Sequence, residues 1–285
     1  MYINNFKNNT YFGTTNKKPI TFGSNPNSHL LEFTCDDFFV RIKGYGKNRN
    51  WARDVRQLAD TATDKIKVSK TSDGVLSYIA DGIRAANSHC LDYKKRTHSG
   101  ILRTVRKGYN CESEWSNIEL VTPISNQYKS YFLKLVPLDA NPIKSPYSDI
   151  DVCKIKRGCW GDYDAEMIHP TSKKINNALD RVGGKFFNLK KDYISKPQNV
   201  TEESLPKINS DVAEIRWIMA HSMPWERGSD AISNVFMRSL YKSMGIKTYP
   251  IKKGLSLDLE AFCTPLNEYK KNFPSYFELE PSIAL

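Results

Sequence analysis

The sequence predicts a mainly α-helical (α+β) fold with a smaller mixed lobe inserted into its helical core. Three observations carry this. Between Ser210 and Tyr249 the chain reads as helix, short polar turn, helix. Upstream, the segments 50–66, 72–88 and 99–107 space their apolar residues by three and four, the period of an amphipathic helix. Residues 137–200 then break that rhythm with Pro137, Pro142, Pro146, Pro170, Pro197 and the Gly183–Gly184 pair. The expected organisation is a tail over 1–28, a helical core from 29–136 and 201–285, and the inserted lobe over 137–200.

Taken in order, residues 1–28 are rich in Asn, Thr, Gly and Lys without periodicity, the pattern of a disordered tail. The stretch 30–45 reads as a short helix or strand. Trp51, Val55, Leu58, Ala59 and Ala62 then make one helical face, and Val75, Ile79, Ile83 and Ala86 a second. Ile101, Leu102 and Val105 suggest a third. Val121-Thr122-Pro123 is expected to be extended, because the residue before a proline is pushed out of the helical region. In the inserted lobe, 152–160 suggests a strand, 172–181 a short helix and 185–189 another extended piece. Val212, Ile215, Ile218 and Met219 mark the first core helix, capped by Asn209 or Ser210 and ended by Pro224. Ser229 is the expected N-cap of the second, whose apolar face is Ile232, Val235, Phe236, Leu240 and Met244 and whose stop is Gly245. A last helix follows Ser256, with Phe262, Leu266 and Tyr269 as its apolar positions.

Composition excludes several classes. The 285 residues are 40% hydrophobic, with 42 Lys plus Arg against 31 Asp plus Glu and a net charge of +11. The basic residues fall in short scattered groups such as Lys94-Lys95-Arg96 rather than in a stripe interleaved with aromatics, which argues against nucleic-acid binding. No apolar run reaches the ~18 residues of a membrane span. Tyr2 occupies the position where myristoylation needs glycine, so no membrane anchor is expected. Six cysteines without a C-x-x-C pair suit a reducing compartment. The five histidines form no ligand spacing with them, so no metal is expected.

The turn at 224–229 is where chemistry is expected. Pro224-Trp225-Glu226-Arg227-Gly228-Ser229 sets an arginine, a glycine that lets a ligand approach the backbone, and the amides of Ala231 and Ile232 at one helix N-terminus. That combination suits an anion, and a forked guanidinium suits phosphate. The competing reading is that Arg227 pairs with a carboxylate of its own chain.

Helix, Pro-aromatic-x-x-Gly, helix resembles the core of Fic-fold proteins, whose signature is H-P-F-x-x-G-N-G-R. Here His221 stands three residues before Pro224, and Ser229-Asp230-Ala231 replaces the end of that loop. A closer resemblance is to the AvrB/AvrC family of bacterial type III avirulence effectors, which have a Fic-like fold with a divergent loop. Trp217, Ala220, Met223, Pro224, Arg227, Gly228, Ser229 and Ala231 stand in register with its central motif. Leu257-Asp258-Leu259-Glu260-Ala261 is similar to a second block, and Val121-Thr122-Pro123 with Tyr128-Lys129-Ser130 to a third. The likeness covers roughly 70–136 and 200–275.

The resemblance implies an effector secreted into the host cytoplasm, the tail then being of the kind that serves as a secretion signal. It implies a pocket for a nucleotide diphosphate or nucleotide sugar, held by Arg227, Gly228, Ser229, Tyr128 and Thr122, and no tightly bound cofactor. It further implies transfer of a glycosyl group, a deoxyhexose, to a hydroxyl of a host protein, an immune regulator or kinase scaffold, with Asp258 and Thr122 as catalytic residues. Thr122 read alone is a turn hydroxyl, Tyr128 a packed aromatic, and Asp258 a complement to a helix dipole. His221, displaced from the Fic position, is expected to be packed or partly exposed. A non-catalytic adaptor with a nucleotide-filled pocket and an adenylyltransferase are the alternatives.

Overall fold

A computed structural model describes residues 39, 49–89, 97–103, 120–123, 143–156, 166–252 and 255–284. The tail over 1–28, all of 30–45 except Phe39, and Tyr128 lie outside them. The fold is mainly helical, and Thr34–Leu285 group as one compact unit. Among the described residues its α-helices of a turn or more are α1 (Arg49–Val68), α2 (Ser72–Ala86), α3 (Ser172–Leu189), α4 (Leu205–Ser222), α5 (Ser229–Ser243), α6 (Leu257–Cys263) and α7 (Leu266–Asn272). β1 (Leu120–Pro123), β2 (Lys154–Lys156) and β3 (Glu166–His169) form an antiparallel sheet in the order β1-β3-β2, with Thr122 opposite Met167. β4 (Ile246–Lys247) pairs with β5 (Ser282–Ile283).

The two upstream helices form as their apolar spacing predicts. α1 buries Trp51, Val55, Leu58, Ala59, Ala62 and Ile66 against α2 and α5. Ser239 of α5 donates to the Ala59 carbonyl at 2.9 Å across that contact. The Trp51 indole donates to Asn87 at 2.9 Å and Asn87 to Ser99 at 2.8 Å, a buried relay that ties α1 and the end of α2 to the segment 97–103.

Four sequence expectations are corrected. Residues 172–189 are one helix of 18 residues, running straight through Gly183 and Gly184 where a break and an extended piece were expected. Ile175, Ala178, Val182, Phe186 and Leu189 keep a three-and-four stripe that is buried, in the helix that packs on α4 and α2, and this burial outweighs the weak helix propensity of glycine. Residues 99–103 are not helical but pair, strand-like, with the 224–227 turn. α4 begins at Leu205, with Pro206 in its first turn, and not at Asn209 or Ser210. The last helical segment is split into α6 and α7 at Pro265, whose ring cannot continue a helix.

α4 is the centre of the molecule. Every residue from Asp211 to Ser222 is buried. Its polar members each have partners: Asp211 is bonded by Lys185 and Lys207, and Glu214 by Lys185, Lys270 and the Tyr147 hydroxyl. Burial pushes the Glu214 carboxyl up, but those three donors hold it below its ordinary value. His221 is fully buried, accepting from the Cys153 amide through Nδ1 at 3.1 Å, while Nε2 lies 3.0 Å from the Ala261 carbonyl and donates to it. It is thus a packed structural residue.

Gly100 sets how the 97–103 segment lies on α2. It adopts φ +71, and a Cβ placed there would sit 2.2 Å from the Ala80 carbonyl oxygen. Gly100→Ala is therefore expected to destabilise the protein by about 1–3 kcal/mol. Gly184→Ala, at a helix position with nothing within 4 Å, is expected to stabilise it by about 0.5–1 kcal/mol. Urea unfolding of both variants checks the pair, and equal effects of one sign would contradict this account.

Candidate functional site

α4 ends at Ser222, and Met223 takes the left-handed conformation with φ 42. The buried Arg103 guanidinium closes that end, donating to the carbonyls of Ser222 at 3.1 Å, Met223 at 3.0 Å and Pro170 at 2.6 Å. A cation at a helix C-terminus complements the last carbonyls. Burial lowers its pKa to about 10, with Glu226 opposing the shift.

From Pro224 the turn is zipped to 97–103 through its backbone. The Arg103 amide donates to the Pro224 carbonyl at 2.9 Å, the Glu226 amide to Ile101 at 2.9 Å, and the Gly100 amide to Arg227 at 3.0 Å. Beneath the zipper, Nδ1 of His98 lies 2.6 Å from the Glu226 carboxylate, both side chains being buried. The turn's carbonyls and alternate amides are thus consumed by structure, and its outward-facing chemistry is left to Arg227.

Arg227 is exposed, and its guanidinium has no ion pair or hydrogen bond among the described residues. Among the described residues no carboxylate of its own chain pairs with it. Gly228 follows at φ 85, and a Cβ there would press on Ile83 at 3.2 Å. Gly228, not Ser229, is the N-cap of α5, and no side chain caps this end. Ser229 is the first helical residue and its hydroxyl turns back, accepting from the Trp225 amide at 3.1 Å and donating to the Trp225 carbonyl at 3.0 Å. The Ile232 amide, expected to be free, closes the first helical bond to Gly228 at 2.9 Å. The amides of Ser229, Asp230 and Ala231 precede that bond and have no acceptor within the helix.

Asp258 reaches this same helix end through a side chain absent from the sequence-level site. Arg216 of α4, 1% exposed, is clasped by Asp230 in the first turn of α5 and by Asp258 in the first turn of α6, at 2.5 Å from the latter. Asn234 braces the cluster, accepting from Arg216 Nε at 3.3 Å and donating to Asp230 at 3.1 Å. Burial alone would pull the guanidinium down, but Asp258 and Asp230 raise it above the ordinary arginine range. Burial, and then the facing charge of Asp258, push the Asp230 carboxyl well up, against the pull of Arg216. Two carboxylates on one guanidinium carry excess negative charge, and a proton is readily kept there. Nη1 of Arg216 has no hydrogen-bond partner among the described residues.

The structure thus brings Arg227, Gly228 and Ser229 to one helix N-terminus and ties Asp258 to it through Arg216 and Asp230. Thr122 lies in β1, and Tyr128 lies outside the described residues. No group of three or more His, Cys, Asp or Glu side chains among the described residues could hold a metal ion. Arg216 and Asp230 were missed by sequence reasoning. The available signal was an arginine set among the apolar positions of α4 and an acid in the first turn of each of two helices.

A family model of avirulence proteins, AvrB/AvrC, matches residues 167–280. The match contains Arg216, the 223–229 turn and Asp258, but not Thr122 or Tyr128. No curated protein matches the chain.

Arg216→Leu strands two carboxylates in a buried site and is expected to cost about 3–5 kcal/mol. The raised Asp230 carboxyl implies a pH signature. Its folded pKa lies above the unfolded value, so the folded state binds the extra proton and stability falls as pH rises from the unfolded value, ~4, towards the folded one. Asp230→Asn should level that decline in urea titrations between pH 5 and 8. A slope unchanged by the substitution would show that another group carries it.

Proposed function

We propose, from the match of residues 167–280 to the AvrB/AvrC family of avirulence proteins, that this chain is a bacterial effector delivered into host cells and that it binds a nucleotide diphosphate or nucleotide sugar at the α5 N-terminus. It then passes a glycosyl group, a deoxyhexose, from the nucleotide sugar to a hydroxyl of a host protein. The observation that supports this most directly is Arg227: exposed, unpaired among the described residues, and beside a helix N-terminus without a side-chain cap from its N-cap glycine. An arginine fork and free amides are the groups that would bind a pyrophosphate and stabilise it as it departs with the charge of the broken sugar–phosphate bond. Gly228 lets that group approach the backbone. Thr122 and Tyr128 are assigned to the same pocket by the family resemblance alone.

In this reading the acceptor hydroxyl oxygen attacks the anomeric carbon, the bond from that carbon to the diphosphate oxygen breaks, and the hydroxyl proton is transferred to a base. Asp258 is the carboxylate assigned to orient or deprotonate the hydroxyl, with Thr122 as a second catalytic group. Asp230, facing Asp258 across Arg216, offers a neighbouring place for the proton.

A second reading is favoured by one observation. Asp258 is already held by the Arg216 guanidinium at 2.5 Å, so its carboxylate has a structural partner inside the protein where the transfer reading needs it to meet an acceptor hydroxyl. On that account the chain is an adaptor that binds a host immune regulator or kinase scaffold, with nucleotide serving only to stabilise it.

Arg227→Ala is expected to weaken nucleoside diphosphate binding by roughly 10- to 100-fold, the loss of one charge-assisted contact of about 1.5–3 kcal/mol. Isothermal titration calorimetry measures the affinity, and labelled nucleotide sugar added to host extract measures transfer. If Arg227→Ala leaves the affinity unchanged, the phosphate site is elsewhere. If wild-type protein binds nucleotide but labels nothing, the adaptor reading stands.

A further inference from the structure

Behind the zipped turn lies a cleft of about 500 Å³ that the nucleotide reading does not use. Its walls are α2 and α3, and Leu76, Leu102, Leu179 and Trp225 are among its apolar lining residues. Arg227 is not among its lining residues. On α2 the lining positions 73, 76, 77, 80, 81 and 84 are one face of the helix, a strip about 16 Å long. That size falls within the range of built ligand sites and accommodates an extended segment of about five residues.

The charge of the cleft runs against that of the protein. In a chain of net charge +11, this cleft presents Asp73 and Asp81 from one wall and Asp180 from the other, with a single cation, Arg84. Arg84 is already engaged, donating to the carbonyls of Ser99 and Gly100 at 3.0 Å each and lying 3.4 Å from Asp81. Asp180 has no cation or hydrogen-bond donor among the described residues. Arg84 answers Asp81 in part, while Asp73 and Asp180 have no cation among the described residues, so three carboxylates and one guanidinium leave the lining net negative beside its apolar residues. A surface that is both apolar and charged in this way complements a cationic segment with an apolar centre.

We propose that this cleft is a docking groove for a short extended segment of a partner protein, with basic residues flanking an apolar core. Asp73 and Asp81 are two turns apart, about 12 Å along the helix, which matches cations four residues apart in an extended peptide. The groove does not depend on the nucleotide reading, but its edge, Gly100 to Leu102, is hydrogen-bonded to the turn that carries Arg227. A segment seated there would lie beside that turn.

The test uses fluorescein-labelled peptides Arg-Leu-Phe-Leu-Arg and Glu-Leu-Phe-Leu-Glu, with anisotropy read against the full chain at 50 and 300 mM NaCl. The arginine peptide is expected to bind saturably, more weakly at the higher salt, and the glutamate peptide not at all. The triple variant Asp73→Asn/Asp81→Asn/Asp180→Asn should weaken binding roughly 5- to 50-fold, the sum of three partly screened pairs. Asp180→Asn alone, at an exposed position, provides a smaller effect in the same direction should the triple variant fail to fold. The charge-reversed Asp81→Lys/Asp180→Lys variant should shift preference to the glutamate peptide. Arg227→Ala should leave peptide binding unchanged, so loss of nucleotide binding and loss of peptide binding are separate results. Absence of saturable binding to the wild type, or binding indifferent to all these substitutions, overturns the groove.

Discussion

One guanidinium with almost no access to water governs how the centre of this protein is built. Arg216 sits inside α4, and an unpaired charge there would cost several kcal/mol. Two carboxylates answer it, and both come from the first turn of a helix, Asp230 from α5 and Asp258 from α6. An acid in that position also complements its own helix dipole. The same two side chains therefore pair with one cation and complement the dipoles of two helices without capping the α5 amides, and they draw both helices to a single point on α4. The turn between α4 and α5 has to fit that geometry, and the left-handed residues Met223 and Gly228 make its two bends.

The candidate site follows from this arrangement. Arg216 takes the acids, and Arg227, exposed and without a partner among the described residues, stands beside a helix N-terminus whose N-cap is a glycine. Because the backbone of 224–227 is bonded to 99–103 and His98 holds Glu226 from below, the turn is rigid where the arginine leaves it. A preorganised cation loses little freedom on meeting an anion, which is what a phosphate clamp requires. In the cleft between α2 and α3 the same segment engages the one lining cation, Arg84, through the Ser99 and Gly100 carbonyls, so that cation is shared between them and Asp81.

Much of this was readable along the chain. The apolar spacing of α1, α2 and α5 is a property of neighbours in sequence, and each of those helices lies where the spacing places it. Arg227 and Gly228 were legible because a turn between two helices has few roles for an arginine and a glycine. Less was readable wherever a distant partner decided the outcome. Gly183 and Gly184 look like a break, yet the buried face of α3 carries the helix through them. Ile101 and Leu102 look helical, yet their backbone finds better partners in the turn more than a hundred residues away. Ser229 looks like a cap, yet its hydroxyl is taken by Trp225.

By itself the amino-acid sequence determined a basic, mainly helical chain with an arginine-bearing turn between its two central helices, because periodicity and turn chemistry act over a few residues. Only the tertiary structure decided that Asp258 meets that turn, that Arg216 and Asp230 are its intermediaries, and that Ser229 is not a cap. The reason is physical: the energy of a buried charge depends on which groups the folded chain brings within a few ångströms of it, and sequence separation carries no record of that distance.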